Sequence, residues 1–304
     1  MERILRRIFL GLSKSKFFIK VAKKYGLRFG GHRFVAGETI YEAVEVTKQL
    51  NKSGKDVTID YLGEFVDRVE EATERTNECI KAIEQISKEV SGAQLSVKLT
   101  SMGLDISDEV VLANMFRILQ CATKHGVFVT IDMEDYSRYE RTINIYKLLR
   151  TQYDNLGTVL QAYLYRAESD LSALSELYPH LRLVKGAYKE SEEVAFPKKA
   201  DVDENFKKLI KTHLLNGSYT AIATHDEKIL NYTKEIVDEY EIPYDQFEFQ
   251  MLYGVCPELQ EKLVLEGYKM RVYVPYGRDW FGYFMRRLAE RPANVAFVLR
   301  GLFK

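Results

Sequence analysis

Eight short β-rich runs, each followed by an amphipathic helical stretch, constrain this chain more than any other feature. The runs are Val57–Leu62, Leu95–Thr100, Val127–Met133, Thr158–Tyr163, Leu181–Tyr188, Ala221–Thr224, Phe247–Leu252 and Met270–Tyr276. The helical pattern is clearest in Phe65–Ile86, where Phe65, Val69, Ala72, Thr76, Cys79, Ile83 and Ile86 step by three and four. Similar patterns cover Glu109–Lys124, Tyr139–Gln152, Leu171–Tyr178, Val202–Leu215, Glu227–Glu239 and Pro257–Leu265. A helix between consecutive strands is the usual crossover of a parallel sheet, so strict alternation predicts parallel strands. Eight such units predict an α/β fold of the (β/α)8 TIM-barrel type, with a doubly wound open sheet as the alternative. No composition break divides residues 55–304, which are read as one catalytic barrel. Residues 1–54 are read as a helical arm, with a helix over Thr39–Leu50.

Charge separates the arm from the rest. Residues 1–33 hold ten Lys/Arg and one acid, Glu2, a net of +9 in a chain whose formal charge is zero. Among those basic residues Ile4, Leu5, Ile8, Phe9, Leu12, Phe17, Phe18 and Val21 recur as in an interfacial amphipathic helix. Peripheral contact with a membrane is one reading of residues 1–33; an arm packed on the barrel with its basic face in water is the other. The zero net charge argues against general nucleic-acid binding. Three widely spaced cysteines, Cys79, Cys121 and Cys256, fit reduced cytoplasmic thiols. Apolar runs are too short for a spanning helix, and no secretory signal is expected. GxGxxG, GxxxxGK[ST], HExxH, GxSxG and Cys/His metal spacings are missing, so no nucleotide fold of those types and no metal site is expected.

In a barrel of this type the chemistry sits at the C-terminal strand ends. The second run ends near Lys98, the third in Asp132, Glu134 and Asp135, and the fourth carries Gln161. The fifth carries Arg182, Lys185, Gly186 and Tyr188, and the sixth ends in Thr224, His225 and Asp226. The seventh carries Gln250, Leu252 and Tyr253, and the eighth Tyr273. Each has an ordinary explanation alone; together they predict a polar mouth with a cationic bias from Lys98, Arg182 and Lys185, suited to an anionic ligand. Near the C-terminus, Tyr283, Arg286, Arg287 and Glu290 fall close together on a helix. Two adjacent guanidinium groups suit a carboxylate clamp, and a solvated basic face explains them equally well.

Nine segments, in order, carry a resemblance: FVAGET (34–39), SVKLTS (96–101), TIDME (130–134), QAYLYR (161–166), RLVKGAYKE (182–190), ATHD (223–226), EFQMLYGV (248–255), RVYVPYG (271–277) and YFMRRLAERPAN (283–294). Over roughly residues 30–300 the chain resembles the FAD-dependent proline dehydrogenases, in their monofunctional form. The resemblance implies a (β/α)8 barrel with a C-terminal helix over its mouth. It implies oxidation of L-proline to Δ1-pyrroline-5-carboxylate, the first step of proline degradation to glutamate, by hydride transfer to FAD N5, with electrons passed to a quinone. It implies that Arg286 and Arg287 clamp the proline carboxylate with Lys98 opposite, that Tyr283, Tyr273 and Leu252 wall the ring, and that Asp132 pairs with the cations. Arg182 would lie beside the flavin N5. Met133, Gln161, Lys185, Gly186, Ala187, Thr224 and His225 would hold the FAD, and Glu290 would orient the arginines or reach the cofactor.

The phenol of Tyr273 would crowd a ring 4-hydroxyl, which favours proline over hydroxyproline; hydroxyproline dehydrogenation is the near alternative. A Schiff-base lysine aldolase built on Lys98 or Lys185, and a non-catalytic barrel, are the alternatives of other classes. The charged segment 189–201 is read as a lid or a plain surface loop. A separate pyrroline-5-carboxylate dehydrogenase is the expected partner, and the location expected is cytoplasmic, peripheral at the inner membrane face.

Overall fold

The computed structural model describes residues 31–290, with side chains as far as Met285. Eight parallel strands close into one barrel in sequence order: β1 (Asp56–Tyr61), β2 (Gln94–Lys98), β3 (Phe128–Asp132), β4 (Leu156–Gln161), β5 (His180–Val184), β6 (Thr220–Ala223), β7 (Phe247–Leu252) and β8 (Met270–Tyr276). The ring closes through six register pairs between β1 and β8, from Asp56↔Arg271 to Tyr61↔Tyr276. Successive side chains on a strand point to opposite faces, so each strand divides into an outer and an inner set. Val57, Ile59, Leu95, Val97, Val129 and Ile131 form the outward set on β1–β3 and are buried beneath the helices. The inward set is largely polar and includes Asp60, Ser96, Lys98, Asp132, Arg182 and Gln250. Registers Lys98↔Asp132, Val159↔Arg182 and Leu252↔Tyr273 bring these residues to matching heights.

The helices are α1 (Ile40–Lys52), α2 (Val69–Glu89), α3 (Asp108–His125), α4 (Tyr136–Arg150), α5 (Ala167–Leu174), α6 (Lys199–Leu215), α7 (Glu227–Glu239), α8 (Pro257–Leu265) and α9 (Trp280–Glu290). Local chemistry sets their ends. Thr39 and Glu42 form a reciprocal capping box at the start of α1. Ser107 caps α3, and Gly126 ends it in the left-handed conformation. The apolar face of α1 (Ile40, Ala43 and Val44) joins the same core as the barrel strands. Helix α2 starts four residues after the expected Phe65, because Phe65 has φ +59° and cannot enter a right-handed helix.

Helix α9 packs Trp280, Tyr283, Phe284 and Met285 against Phe34, Val35, Leu62 and Val255. Leu62 and Val255 follow the C-terminal ends of β1 and β7, so α9 lies at that end of the barrel. The side chains of Arg286, Arg287 and Glu290, and the amphipathic stretch expected in residues 2–24, lie outside the described residues. Segment 189–201 is tethered: Leu164 and Ala195 form a β-bridge, Phe196 N–H donates to Tyr163 O, and residues from Lys199 on belong to α6. Among the described residues, no helix is long and apolar enough to cross a membrane.

Candidate active site

A cavity of about 840 Å³ opens at the C-terminal strand ends, toward the upper end of the range for ligand sites. Lys98, Asp132, Met133, Gln161, Arg182 and Lys185 line it, as do Gly186, Ala187, Thr224, His225, Leu252 and Tyr273. All are residues singled out from the sequence. Tyr283 does not line it; its ring lies in the apolar cluster of α9, against which Leu252 packs.

At the centre is Asp132, the last residue of β3, which accepts from four groups. Its Oδ1 takes Arg182 Nη1 at 2.5 Å and Ser96 Oγ at 3.1 Å; its Oδ2 takes the Tyr273 hydroxyl at 2.7 Å and Lys98 Nζ at 3.4 Å. Burial pushes the carboxyl up, but Arg182 and Lys98 outweigh it and hold Asp132 below the usual carboxylate range. Lys98 also meets both oxygens of Asp60 at 3.1 Å. Burial opposes its charge, yet Asp60, Tyr273 and Asp132 raise it well above the ordinary lysine value, so the ammonium persists. The Arg182 guanidinium lies 5.3 Å from the Tyr273 ring centroid and sends Nε to Gln250 at 2.7 Å and Nη2 to Ser96 at 3.0 Å.

The expected cationic bias needs correction. Two carboxylates, Asp60 and Asp132, face the two cations Lys98 and Arg182. Lys185 at the end of β5 lies between Asp203 at 2.5 Å and Asp226 at 2.6 Å. A cation taken from water without a counter-ion is costly, and each of these has acquired one. Asp226 is drawn down to about 2, chiefly by its hydrogen bond to Lys185, and also caps α7 through Lys228 N–H.

Several details fit a bound flavin dinucleotide. Gln161 donates its Nε2 toward the Met133 and Glu134 carbonyls, while its buried Oε1 has no partner among the described residues. An unpaired acceptor on a cavity wall suits a ring N–H. Gly186 follows β5 at φ +109°, and a Cβ there would fall 2.2 Å from the Tyr163 ring, so glycine is required at this turn, where Lys185, Gly186 and Ala187 all line the cavity. His225 Nε2 accepts from Leu252 N–H at 3.0 Å, which places the proton of a neutral ring on Nδ1.

Comparison with known proteins then decides the family. A family model described as proline dehydrogenase matches residues 43–300. The chain belongs to the proline dehydrogenase family. It is 56% identical over 301 residues to proline dehydrogenase 1 of Bacillus subtilis (strain 168), covering 99% of this chain and all of that one. It is 44% identical to proline dehydrogenase of Deinococcus radiodurans, over 90% of this chain and 89% of that one. The crystal structure of proline utilization A from Bdellovibrio bacteriovorus inactivated by N-propargylglycine superposes with TM-score 0.79 at 27% identity, covering 86% of this chain. The chain spans only 32% of that longer protein. A proline dehydrogenase barrel is thus expected to work at the strand ends where this cavity lies.

Sequence reasoning passed over Asp60, Ser96, Asp203 and any role for Gln250 and Asp226. Asp60 ends TID in the first run, two residues after Thr58, and Ser96 lies two before Lys98; the period of two flags both as inward-facing.

Proposed function

We propose that this cavity oxidises L-proline to Δ1-pyrroline-5-carboxylate, with FAD as hydride acceptor and a quinone as the onward electron acceptor. The observation that carries the reading is the joining of Lys98, Asp132, Arg182 and Tyr273 into one buried network on the wall of a large cavity, in a chain of this family. Met133, Gln161, Arg182, Lys185, Gly186, Ala187, Thr224 and His225 are the residues that would hold the FAD. When bound, the flavin supplies a two-electron acceptor for hydride from the carbon beside the ring nitrogen.

The chain's own groups do the rest. Arg286 and Arg287 clamp the substrate carboxylate, Lys98 faces it, and Leu252 and Tyr273 limit the ring volume. Tyr283 contributes through the apolar cluster behind Leu252, and Glu290 orients the arginines or reaches the cofactor. Asp132 already accepts four hydrogen bonds and is a poor proton acceptor at neutral pH, so it positions Lys98, Arg182 and Tyr273. The ammonium proton of proline therefore leaves to water. The persistent charge on Lys98 counts against a Schiff-base aldolase, whose lysine must be neutral to attack a carbonyl. The basic residues 1–33 would keep a cytoplasmic protein at the inner membrane face, within reach of a lipid-soluble quinone. The product would pass to a separate pyrroline-5-carboxylate dehydrogenase.

The test is a visible spectrum. The purified protein is expected to be yellow, and L-proline to bleach it anaerobically. A colourless protein that fails to take up FAD overturns the reading.

A further inference from the structure

Arg182 is positioned from beneath as well as from the mouth. Its Nε donates to Gln250 Oε1 at 2.7 Å, while Nη1 and Nη2 reach Asp132 and Ser96. The amide orientation of Gln250 is dictated by its other neighbour. Gln250 Nε2 donates to Glu248 Oε1 at 2.6 Å, and an ionised carboxylate only accepts. Turning the amide over would oppose its NH2 to Arg182 Nε–H and its carbonyl to the Glu248 carboxylate, two buried like-to-like contacts.

Glu248 is fully buried and is fixed in turn by Arg271 Nε at 2.7 Å and the Tyr219 hydroxyl at 3.0 Å. Burial raises its carboxyl, but Arg271 overrides this and holds it below the ordinary glutamate value. Arg271 is anchored on the backbone carbonyls of Val57 and Gly92 at 2.7 and 2.6 Å. A continuous hydrogen-bonded chain therefore runs through the barrel from its floor to Asp132. Filling the barrel does not require it, since an apolar side chain at 250 would occupy the same space.

We propose that Glu248 and Gln250 are positioning residues for proline oxidation: the Glu248 carboxylate selects the amide orientation of Gln250 that turns the Arg182 fork toward Asp132 and the cavity. This rests on the reading above, in which Arg182 touches the cofactor. Glu248 lies below the cavity and Gln250 lines it beneath Arg182; because both act through Arg182, breaking the link should slow the reaction more than it weakens proline capture.

The test uses Gln250→Leu, which removes the link, and Glu248→Gln, which frees the amide to turn. Tyr219→Phe is the control, since it takes one contact from Glu248 but leaves the link. In protein labelled with ¹⁵N-arginine, with or without flavin, the Arg182 Nε–H resonance should exchange slowly in wild type and Tyr219→Phe. It should exchange at least about tenfold faster in the other two variants, as expected when a buried hydrogen bond is opened. In the flavin-loaded enzyme, Gln250→Leu should lower kcat about tenfold with proline KM within about twofold, and should lower it no further in an Arg182→Lys background. Unchanged exchange in both link variants, or additive losses with Arg182→Lys, overturns the proposal. A wild-type protein that proline does not bleach breaks the functional reading instead, and the exchange measurement still decides the link.

Discussion

The two ends of the barrel solve the same problem differently. At each end a buried arginine pairs with a carboxylate that also accepts a tyrosine hydroxyl: Arg182 with Asp132, which takes Tyr273, at the mouth, and Arg271 with Glu248, which takes Tyr219, at the floor, where Asp56 also meets the arginine. At the floor, two of the arginine's bonds go to main-chain carbonyls, and neither Arg271 nor Glu248 lines the cavity. At the mouth, every partner of Arg182 among the described residues is a side chain, and Arg182, Lys98 and Asp132 all line the cavity. Backbone partners hold an ion pair shut, whereas side-chain partners beside a cavity leave charge available to a ligand. Buried charge is thus structural at one end and chemical at the other, as the general division of such barrels requires.

Substitutions should separate the two ends. The largest effect on activity is expected for Asp132→Ala, which leaves Lys98 and Arg182 under-compensated and their geometry unset. Turnover with proline should fall by ~10²–10³, the usual scale for losing one preorganised electrostatic group, in steady-state assays with an artificial acceptor. Full activity in that variant would erase the distinction. Arg271→Met at the floor should instead appear first as instability, about 3–5 kcal/mol in urea unfolding, because Glu248 is left buried without its cation. A loss below about 1 kcal/mol, the scale of a surface pair, would show that the floor pair is not structural.

The smallest effect concerns Glu134, between the two networks in character. It is almost fully buried, takes the Thr100 N–H and hydroxyl, and is raised to about 7 by burial. Because this lies above its ordinary value of 4.5, its contribution to stability is fully present below pH 4.5 and is lost as pH rises through about 7. Glu134→Gln keeps a neutral group of the same shape. Its melting temperature at pH 8 should exceed wild type by several degrees, with the difference vanishing near pH 4.5. Parallel melting curves across that range would mean that Glu134 does not change protonation.

Most of the architecture was legible because outward-facing strand residues and inward-facing helix residues are both apolar, at periods that differ. Strand β7 and helix α7 have the expected bounds. Two of the boundary errors fall where backbone geometry overrides pattern. Phe65 at positive φ delayed α2, and the fifth run ends at Val184 rather than Tyr188, ahead of the turn at Gly186. For the site, strand-end position located Lys98, Asp132, Arg182 and Tyr273, but not Asp60 and Ser96 or the link from Arg182 to Gln250. Asp60 lies 38 residues from Lys98, and Gln250 lies 68 from Arg182. Only the barrel's register brings such pairs together, which is why a cationic mouth was expected where a compensated one exists.

The seam between β1 and β8 bears on how such a molecule assembles. Arg271 donates to Val57 O across 214 positions of sequence, among the longest loops the chain must close. Loop-closure entropy makes contacts of that span slow to form. A partly folded chain with β8 undocked would therefore hold Arg271 with Glu248 but without the carbonyls of Val57 and Gly92. The floor arginine then works as a clasp, stabilising the finished ring far more than any open precursor and making closure cooperative.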